Sequence, residues 1–225
     1  MNKSVMDLAR QQEDYIVGLR RYFHAYPELG GQEVNTQRKI MAELRAMGLT
    51  PRAAAGTGVV ADLIGGLPGR VVALRADIDA LPIQEENDVS FASTTPNVMH
   101  ACGHDGHTAM LLGVARILTE MKDRLPGAAR FLFQPSEEAI PGGAGLMIED
   151  GALAGADAVI GAHLWASLPA GTVGVSYGKL MAAPDEFVIT VKGKGGHGSM
   201  PHQTVDSLLV GAQIVVALNT LVGRS

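Results

Sequence analysis

The densest group of chemically versatile side chains lies at positions 99–107, where the sequence reads MHACGHDGH. Thiolate and imidazole suit zinc and its transition-metal neighbours, and carboxylates extend that range to manganese. Glycines at 103 and 106 let the backbone turn tightly enough for Cys102 and His104 to point at one centre. A lone cysteine or histidine is more often a core or surface residue, but this combination predicts a metal site.

Other polar residues follow directly after short apolar runs. Asp77 and Asp79 follow the run at 71–76, and three more residues, Glu137, Glu138 and His163, follow the runs at 131–135 and 159–162. The carboxyl ends of parallel strands line the ligand crevice of an open α/β sheet, so we expect these segments to converge. The alternative is that the aspartates cap a loop and the histidine only bonds to backbone. A charged pair at the end of a buried strand is costly, and a metal ion would remove that cost.

Two further polar stretches are interpreted differently. The pair Glu85-Glu86 lies beside Asn87 and Asp88 and is predicted to be a solvated loop. The stretch GKGGHGS at 193–199 lacks the P-loop order of Gly-Lys-Ser/Thr opening a helix, so a phosphate-binding loop is rejected. His197 is interpreted as a mobile imidazole able to swing over a site, with a simple flexible hairpin as the alternative.

The elements that must position these residues follow from hydrophobic periodicity. Apolar stripes at 16–26 and 40–47 predict two helices within the first 50 residues. Strands are predicted at 59–64, 71–74, 129–133 and 156–160, with helices at about 109–121 and 143–150. This alternation predicts an α/β fold of three layers, in which helices cover both faces of a mostly parallel sheet. Near the C-terminus we expect a half-exposed strand through Phe187, Ile189 and Val191, then a helix at about 205–222.

The chain of 225 residues is long enough for one large domain and part of another. We expect a catalytic, metal-binding domain at 1–182. Residues 183–225 are expected to begin a smaller α+β lid or dimerisation domain, because a single strand and helix cannot bury a core.

Composition excludes several classes of protein. A formal net charge of −5 with scattered basic residues argues against a nucleic-acid partner. No stretch has the length of a signal peptide core or a membrane span, so we expect a cytoplasmic location and no membrane partner. A single cysteine rules out an internal disulfide and leaves Cys102 as core residue, nucleophile or metal ligand.

Taken together, five motifs in order resemble the N-acyl-amino-acid amidohydrolases, a group that includes hippurate hydrolases and plant auxin-conjugate hydrolases. They are RADIDALP at 75–82, CGHDGH at 102–107, QPSEE at 134–138, GAH at 161–163 and GGHGSMPH at 195–202. The resemblance covers essentially the whole chain. It implies a zinc-exopeptidase-like fold and the hydrolysis of small-molecule N-acyl amino acids by a metal-activated water.

The resemblance also implies roles for individual residues. Four of them, Cys102, His104, Glu138 and His163, match ligands of two divalent metal ions. Manganese or zinc is expected, and cobalt or nickel is compatible with the mixed donor set. Glu137 matches the general base of that family.

Two supporting roles come from the same resemblance. Asp79 matches an aspartate that supports the metal site. His197 matches a lid-domain histidine that reaches the substrate carbonyl, often from the neighbouring subunit, so a homodimer through the lid domain is expected for the full-length protein.

Members of that group are longer and supply one more metal-binding histidine near the C-terminus. In this sequence only His197 and His202 follow His163. We therefore expect a piece of a longer product, or a shortened chain with little turnover. Two other hypotheses stay open: a thiol enzyme in which Cys102 is the nucleophile and His104 or His107 its base, and a non-catalytic metal-binding or dimerising module.

Overall fold

A computed structural model describes residues 4–181 and 186–221. The chain divides into two compact units, Met1–Pro169 and Ala170–Ser225. The predicted domain boundary, between residues 182 and 183, lies outside the described residues. Among the described residues, no helix combines the length and the hydrophobicity that a membrane crossing requires.

Three helices precede the sheet: α1 (Val5–Gln11), α2 (Glu13–Ala25) and α3 (Val34–Ala46). The last two carry the predicted apolar stripes. Ser4 begins α1 with a capping box, in which its hydroxyl accepts the Asp7 N–H and the Asp7 carboxylate accepts the Ser4 N–H. The two predicted helices correspond to α2 and α3, and the sequence prediction missed only α1, a short helix in which Leu8 alone is buried.

Five strands form one sheet, in the order β1-β2-β4-β3-β5. Their bounds are β1 Arg52–Ala54, β2 Gly58–Ile64, β3 Leu67–Asp77, β4 Pro126–Gln134 and β5 Ala158–Gly161. Strands β4, β3 and β5 pair in parallel, whereas β1 and β2 add an antiparallel edge. The predicted α/β class is confirmed, and its parallel part is the part that carries the polar residues.

Helices cover both faces of the sheet, as expected. Helix α4 (His104–Glu120) packs with α2 and α3 on one face, and α5 (Gly143–Glu149) lies on the other. Successive side chains of a strand point to opposite faces, so burial of both Phe131 and Leu132 on β4 requires a core on each side. Burial of each such side chain stabilises the fold by about 1.5–3 kcal/mol. The packed core on both faces holds the strands, and thus the strand ends that carry the site, in place.

The second unit contains a 3-10 turn at Pro201–Gln203 and helix α6 (Ser207–Leu221). The predicted strand through Phe187, Ile189 and Val191 was wrong, because residues 186–193 form no strand. Phe187 and Ile189 are 67% and 50% exposed. Alternating side chains form a strand only where a partner supplies backbone hydrogen bonds, and the described part of this unit offers none to these residues.

Candidate metal centre

The polar residues after β3, β4 and β5 converge on the N-terminal end of α4. Asp77 pairs in register with Gln134 at the end of β4, and Arg75 pairs with Gly161 of β5, so the three strands end together. Side-chain donor atoms lie within 4.8 Å of one another in each of three sets: Cys102, His104 and His163; Asp77, His104 and His107; and His104, Glu137 and Glu138. His104 belongs to all three sets, so it lies at the centre of the cluster.

The turn into α4 depends on glycine, although only one of the two glycines acts as expected. Gly103 precedes α4 with φ 93°, a left-handed conformation that glycine adopts without strain. It places Cys102 and His104 on either side of the turn. Gly106 lies inside α4 instead, and a Cβ there would be 2.5 Å from Leu164 Cδ1. Its small size serves the approach of Leu164, not the turn.

The buried imidazole of His104 offers a free lone pair to the cluster. Its Nδ1 lies 2.9 Å from the Asp79 carbonyl oxygen, to which it donates, so Nε2 carries the lone pair. Nε2 has no hydrogen-bond partner among the described residues. It lies 3.6 Å from Asp77 Oδ2, 3.8 Å from Glu138 Oε1 and 3.9 Å from Glu137 Oε2. Such a buried lone pair facing carboxylates fits a bound cation.

The protonation of His104 supports the same interpretation. Burial alone would lower its pKa, but the hydrogen bond with Asp79 and the charges of Asp77 and Glu138 raise the pKa above its ordinary value. The surroundings therefore favour positive charge at this point, which a proton or a metal ion can supply.

Cys102 and His163 face each other at the edge of the cluster. The distance from Cys102 Sγ to His163 Nε2 is 3.5 Å, and His163 Nδ1 donates to the Leu164 carbonyl oxygen at 2.5 Å. In the neutral ring, His163 Nε2 therefore also carries a lone pair. Burial and the neighbouring carboxylate of Glu138 raise the pKa of the Cys102 thiol to about 12. A thiol with this pKa is a poor nucleophile, which argues against the Cys102-nucleophile hypothesis.

Asp79 holds two parts of the cluster together. Its Oδ2 accepts the backbone N–H of Glu138 at 2.9 Å, while its carbonyl oxygen orients His104. Burial would raise the pKa of the Asp79 carboxyl, but the adjacent His104 imidazole and the backbone N–H groups of Glu138 and Glu137 hold that pKa below its ordinary value. Asp79 therefore fixes the Glu138 backbone relative to the imidazole.

His107 is the histidine of the CGHDGH motif to which the family resemblance gives no role at the metal site. His107 is buried, with 2% of its surface exposed. Its Nδ1 lies 2.6 Å from Asp77 Oδ1, and its Nε2 accepts the Leu164 N–H at 2.8 Å. Its place in CGHDGH was the available signal.

A second buried hydrogen-bond network, around Glu85 and His24, adjoins the site. The Glu85 side chain is 2% exposed and accepts the Ser93 N–H at 2.6 Å, with His24 Nε2 at 3.0 Å. His24 Nδ1 in turn lies 2.7 Å from Asp105 Oδ2. The prediction that Glu85 is solvated was wrong, because His24 and a backbone amide take the place of water.

A cavity of about 510 Å³ opens beside Cys102. Its lining includes the apolar side chains of Phe91, Met99 and Trp165, together with His100. Burial lowers the pKa of His100 to about 4, so this imidazole is neutral. Arg20, His24 and Glu85 line the cavity as well, so it offers both apolar and charged groups next to the cluster.

His197 lies in the second unit. It is exposed, and its Nδ1 accepts the Ser199 N–H at 3.2 Å and lies 2.7 Å from the Ser199 hydroxyl oxygen. The role of His197 at the substrate carbonyl stays a prediction.

Comparison with known proteins agrees with this geometry. Residues 73–217 match the model of peptidase family M20/M25/M40. The N-acyl-L-amino acid amidohydrolase of Geobacillus stearothermophilus is 54% identical over 93% of this chain and 57% of its own length. This chain spans about half the length of the curated relatives it matches.

Solved structures show the same likeness. YXEP of Bacillus subtilis, described as a dinuclear metal-binding peptidase from the M20 family, is 43% identical, with a TM-score of 0.71 over 74% of this chain and 47% of that chain. A candidate aminohydrolase of methicillin-resistant Staphylococcus aureus is 37% identical, with a TM-score of 0.80 over 100% of this chain and 60% of that chain. The family match covers more than half of the sequence and agrees with the five motifs, and on these grounds the chain belongs to peptidase family M20/M25/M40.

Proposed function

We propose that the protein hydrolyses the amide bond of N-acyl amino acids, releasing a carboxylate and an amino acid. The observation that carries this proposal is the buried Nε2 of His104, which has no hydrogen-bond partner in the described part of the chain and faces the carboxylates of Glu137 and Glu138. The activity named for the Geobacillus stearothermophilus relative supports the substrate class.

Four residues, Cys102, His104, Glu138 and His163, hold two divalent metal ions in this proposal. The dinuclear centre described for YXEP supports the number of ions. The sulfur, nitrogen and oxygen donors suit manganese or zinc, and they tolerate cobalt or nickel. When bound, the ions supply Lewis acidity and lower the pKa of water. Both imidazoles donate Nδ1–H to a main-chain carbonyl, which fixes the tautomer that a ligand needs.

Glu137 acts as the general base. Its side chain is 42% exposed while one carboxylate oxygen lies 3.9 Å from His104 Nε2, so it reaches both solvent and the cluster. Glu137 takes a proton from water as the new C–O bond forms, and it returns the proton to nitrogen as the C–N bond breaks. His197 donates a hydrogen bond to the carbonyl oxygen as negative charge develops. Asp79 positions Glu138 and His104, and the cavity beside Cys102 receives an apolar substituent of the substrate.

The substitution Glu137→Gln tests this assignment. We expect unchanged zinc binding and a turnover of N-acyl amino acids that falls by about 10²–10⁴-fold, the usual contribution of a positioned base. Glu149→Gln, at the exposed end of α5, is the matched control and should keep full turnover. The assay uses a panel of N-acyl amino acids with this chain and, where the reading frame continues past Ser225, with the longer product.

Each outcome separates the alternatives. Unchanged turnover in Glu137→Gln would exclude Glu137 as the base. Turnover that persists after chelation of metal would exclude the metal centre and favour a thiol enzyme. An unsubstituted protein that binds zinc and turns over no substrate would favour a metal-binding or dimerising module.

A further inference from the structure

Three imidazoles lie side by side in the cluster, with His104 and His107 buried and His163 exposed, and they differ in their hydrogen bonds. Ring centroids of His107 lie 5.4 Å from His104 and 4.5 Å from His163. Among the described residues, Nε2 of His104 has no partner and Nε2 of His163 has only the Cys102 Sγ, at 3.5 Å, whereas His107 bonds through both ring nitrogens, to Asp77 and to the Leu164 N–H. The difference decides which rings have a lone pair to give to a metal.

The tautomer of His107 follows from its partners. A backbone amide can only donate, so the Leu164 N–H requires a lone pair on His107 Nε2. The proton of the neutral ring is then on Nδ1, where it is donated to Asp77 Oδ1 at 2.6 Å. Neither nitrogen has a free lone pair. Asp77, His104 and His107 therefore do not form a third metal site, although their donor atoms lie within 4.8 Å of one another.

The backbone of Leu164 connects His107 to His163. Its N–H donates to His107, and its carbonyl oxygen accepts the His163 Nδ1–H. Its side chain fills the space beside Gly103 and Gly106, where added Cβ atoms would lie 3.3 Å from Leu164 Cβ and 2.5 Å from Leu164 Cδ1 respectively. Hydrogen bonds on both sides and a close contact with α4 thus fix the residue that orients His163.

We infer that His107 is a positioning residue for His163: held by Asp77, it fixes the Leu164 backbone and thereby aims His163 Nε2 at Cys102. This role rests on the proposed metal centre. Partners of this kind affect metal affinity by 10–100-fold when they are removed. His107 therefore acts on metal affinity without contacting the metal.

The ring nitrogens can be followed directly by ¹⁵N NMR in the unsubstituted chain. Without metal, we expect His107 to be the Nδ1–H tautomer. Added Zn²⁺ should shift Nε2 of His104 and His163 strongly and leave His107 Nε2 nearly unchanged. An Nε2–H tautomer, or a coordination shift at His107, would overturn the inference. No zinc shift at His104 or His163 would instead overturn the proposed metal centre itself, on which this role rests.

Two substitutions separate the hydrogen bonds of His107. The amide nitrogen of asparagine reaches the position of Nδ1, so His107→Asn keeps the bond to Asp77 and loses the bond to Leu164. The longer His107→Gln places an amide oxygen near the position of Nε2, so it keeps the acceptor for Leu164.

The readout is Co²⁺ affinity and the thiolate-to-cobalt absorption band, with circular dichroism as the check on folding. We expect His107→Asn to weaken Co²⁺ binding by about 10–100-fold and to shift the band, and His107→Gln to weaken it by less. Equal affinity in His107→Asn and the unsubstituted chain would overturn the inference, as would a larger loss in His107→Gln. If His107→Asn does not fold, His107→Gln and the NMR experiment still decide.

Discussion

The loop that carries Glu137 and Glu138 is fixed by a close contact at the start of α5, and substituting the glycine there tests it. A Cβ on Gly143 would lie 2.1 Å from the Pro135 carbonyl oxygen, whereas a Cβ on Gly145 would meet nothing within 4 Å. Both glycines lie in α5, two positions apart. Gly143→Ala and Gly145→Ala therefore add the same methyl group to the same helix in two different surroundings.

The expected magnitudes follow from these distances. At Gly143 the added carbon is more than 1 Å inside the 3.4 Å at which ordinary contacts begin, and the atom in its way is backbone. Overpacking of this kind costs about 1–3 kcal/mol. At the exposed Gly145, alanine improves helix propensity by up to about 1 kcal/mol. The two variants should therefore differ by about 1–4 kcal/mol in unfolding free energy, with Gly143→Ala the less stable.

The contact also connects to the metal centre, because the Gly143 N–H donates to the Ser136 carbonyl oxygen at 3.0 Å. We expect Gly143→Ala to move this loop and weaken zinc binding, and Gly145→Ala to leave zinc binding unchanged. Urea unfolding followed by the fluorescence of Trp165, the one tryptophan in the sequence, measures stability, and a zinc titration measures affinity. Equal stability of the two variants would refute the packing argument. A destabilised Gly143→Ala with full zinc affinity would refute the connection to the carboxylates.

Two further predictions follow from the pKa values of the metal-free chain. At about pH 7.5, Cys102 should react with iodoacetamide at least ~100-fold more slowly than an ordinary cysteine, because the pKa of its thiol is about 12 and only the thiolate attacks. Mass spectrometry measures the labelling, and rapid labelling would contradict this prediction. The hydrogen bond with Asp105 raises the pKa of His24 above its ordinary 6.5, so the stability this pair contributes is complete below that pH and is lost as the pH rises through the raised value. In urea unfolding, His24→Gln should remove this pH dependence of the unfolding free energy. An unchanged slope of unfolding free energy against pH would contradict the prediction.

The convergence of the cluster was predictable from the sequence because it depends on a general property of parallel strands. Asp77 and Glu138 are far apart in the chain, but Asp77 ends β3 and Glu138 follows β4, and parallel strands end at the same edge of the sheet. The turn at Gly103 was predictable for a similarly local reason, since only glycine adopts a φ of 93° without strain.

Other features depend on partners that a local pattern does not identify. Strands were predicted at residues 59–64 and 71–74, but the place of β4 between them in the sheet was not, because strand neighbours are chosen by non-local pairing. The residues around Glu85 have the composition of a solvated loop, yet the Glu85 carboxylate pairs with His24, which lies 61 residues earlier in the chain.

The role of His107 was hidden for a different reason. The motif CGHDGH presents two imidazoles of the same chemistry, and the sequence contains nothing that distinguishes their lone pairs. Only the partner of each ring nitrogen makes that distinction, and the deciding partner of His107 is a backbone amide 57 residues later. Side-chain chemistry was therefore predictable, whereas its use was not.

The position of β3 between β4 and β5 also affects the order of events in folding. Strands β3 and β5 pair although they are far apart in the chain. The Val71 N–H, for example, donates to the carboxylate of Asp157, which lies 86 residues later and directly precedes β5. Closing such long loops is slow, so His163 joins the cluster only after parallel pairing is established. A divalent ion that needs His163 therefore recognises the chain after this step. It should slow unfolding and raise stability by mass action without accelerating folding.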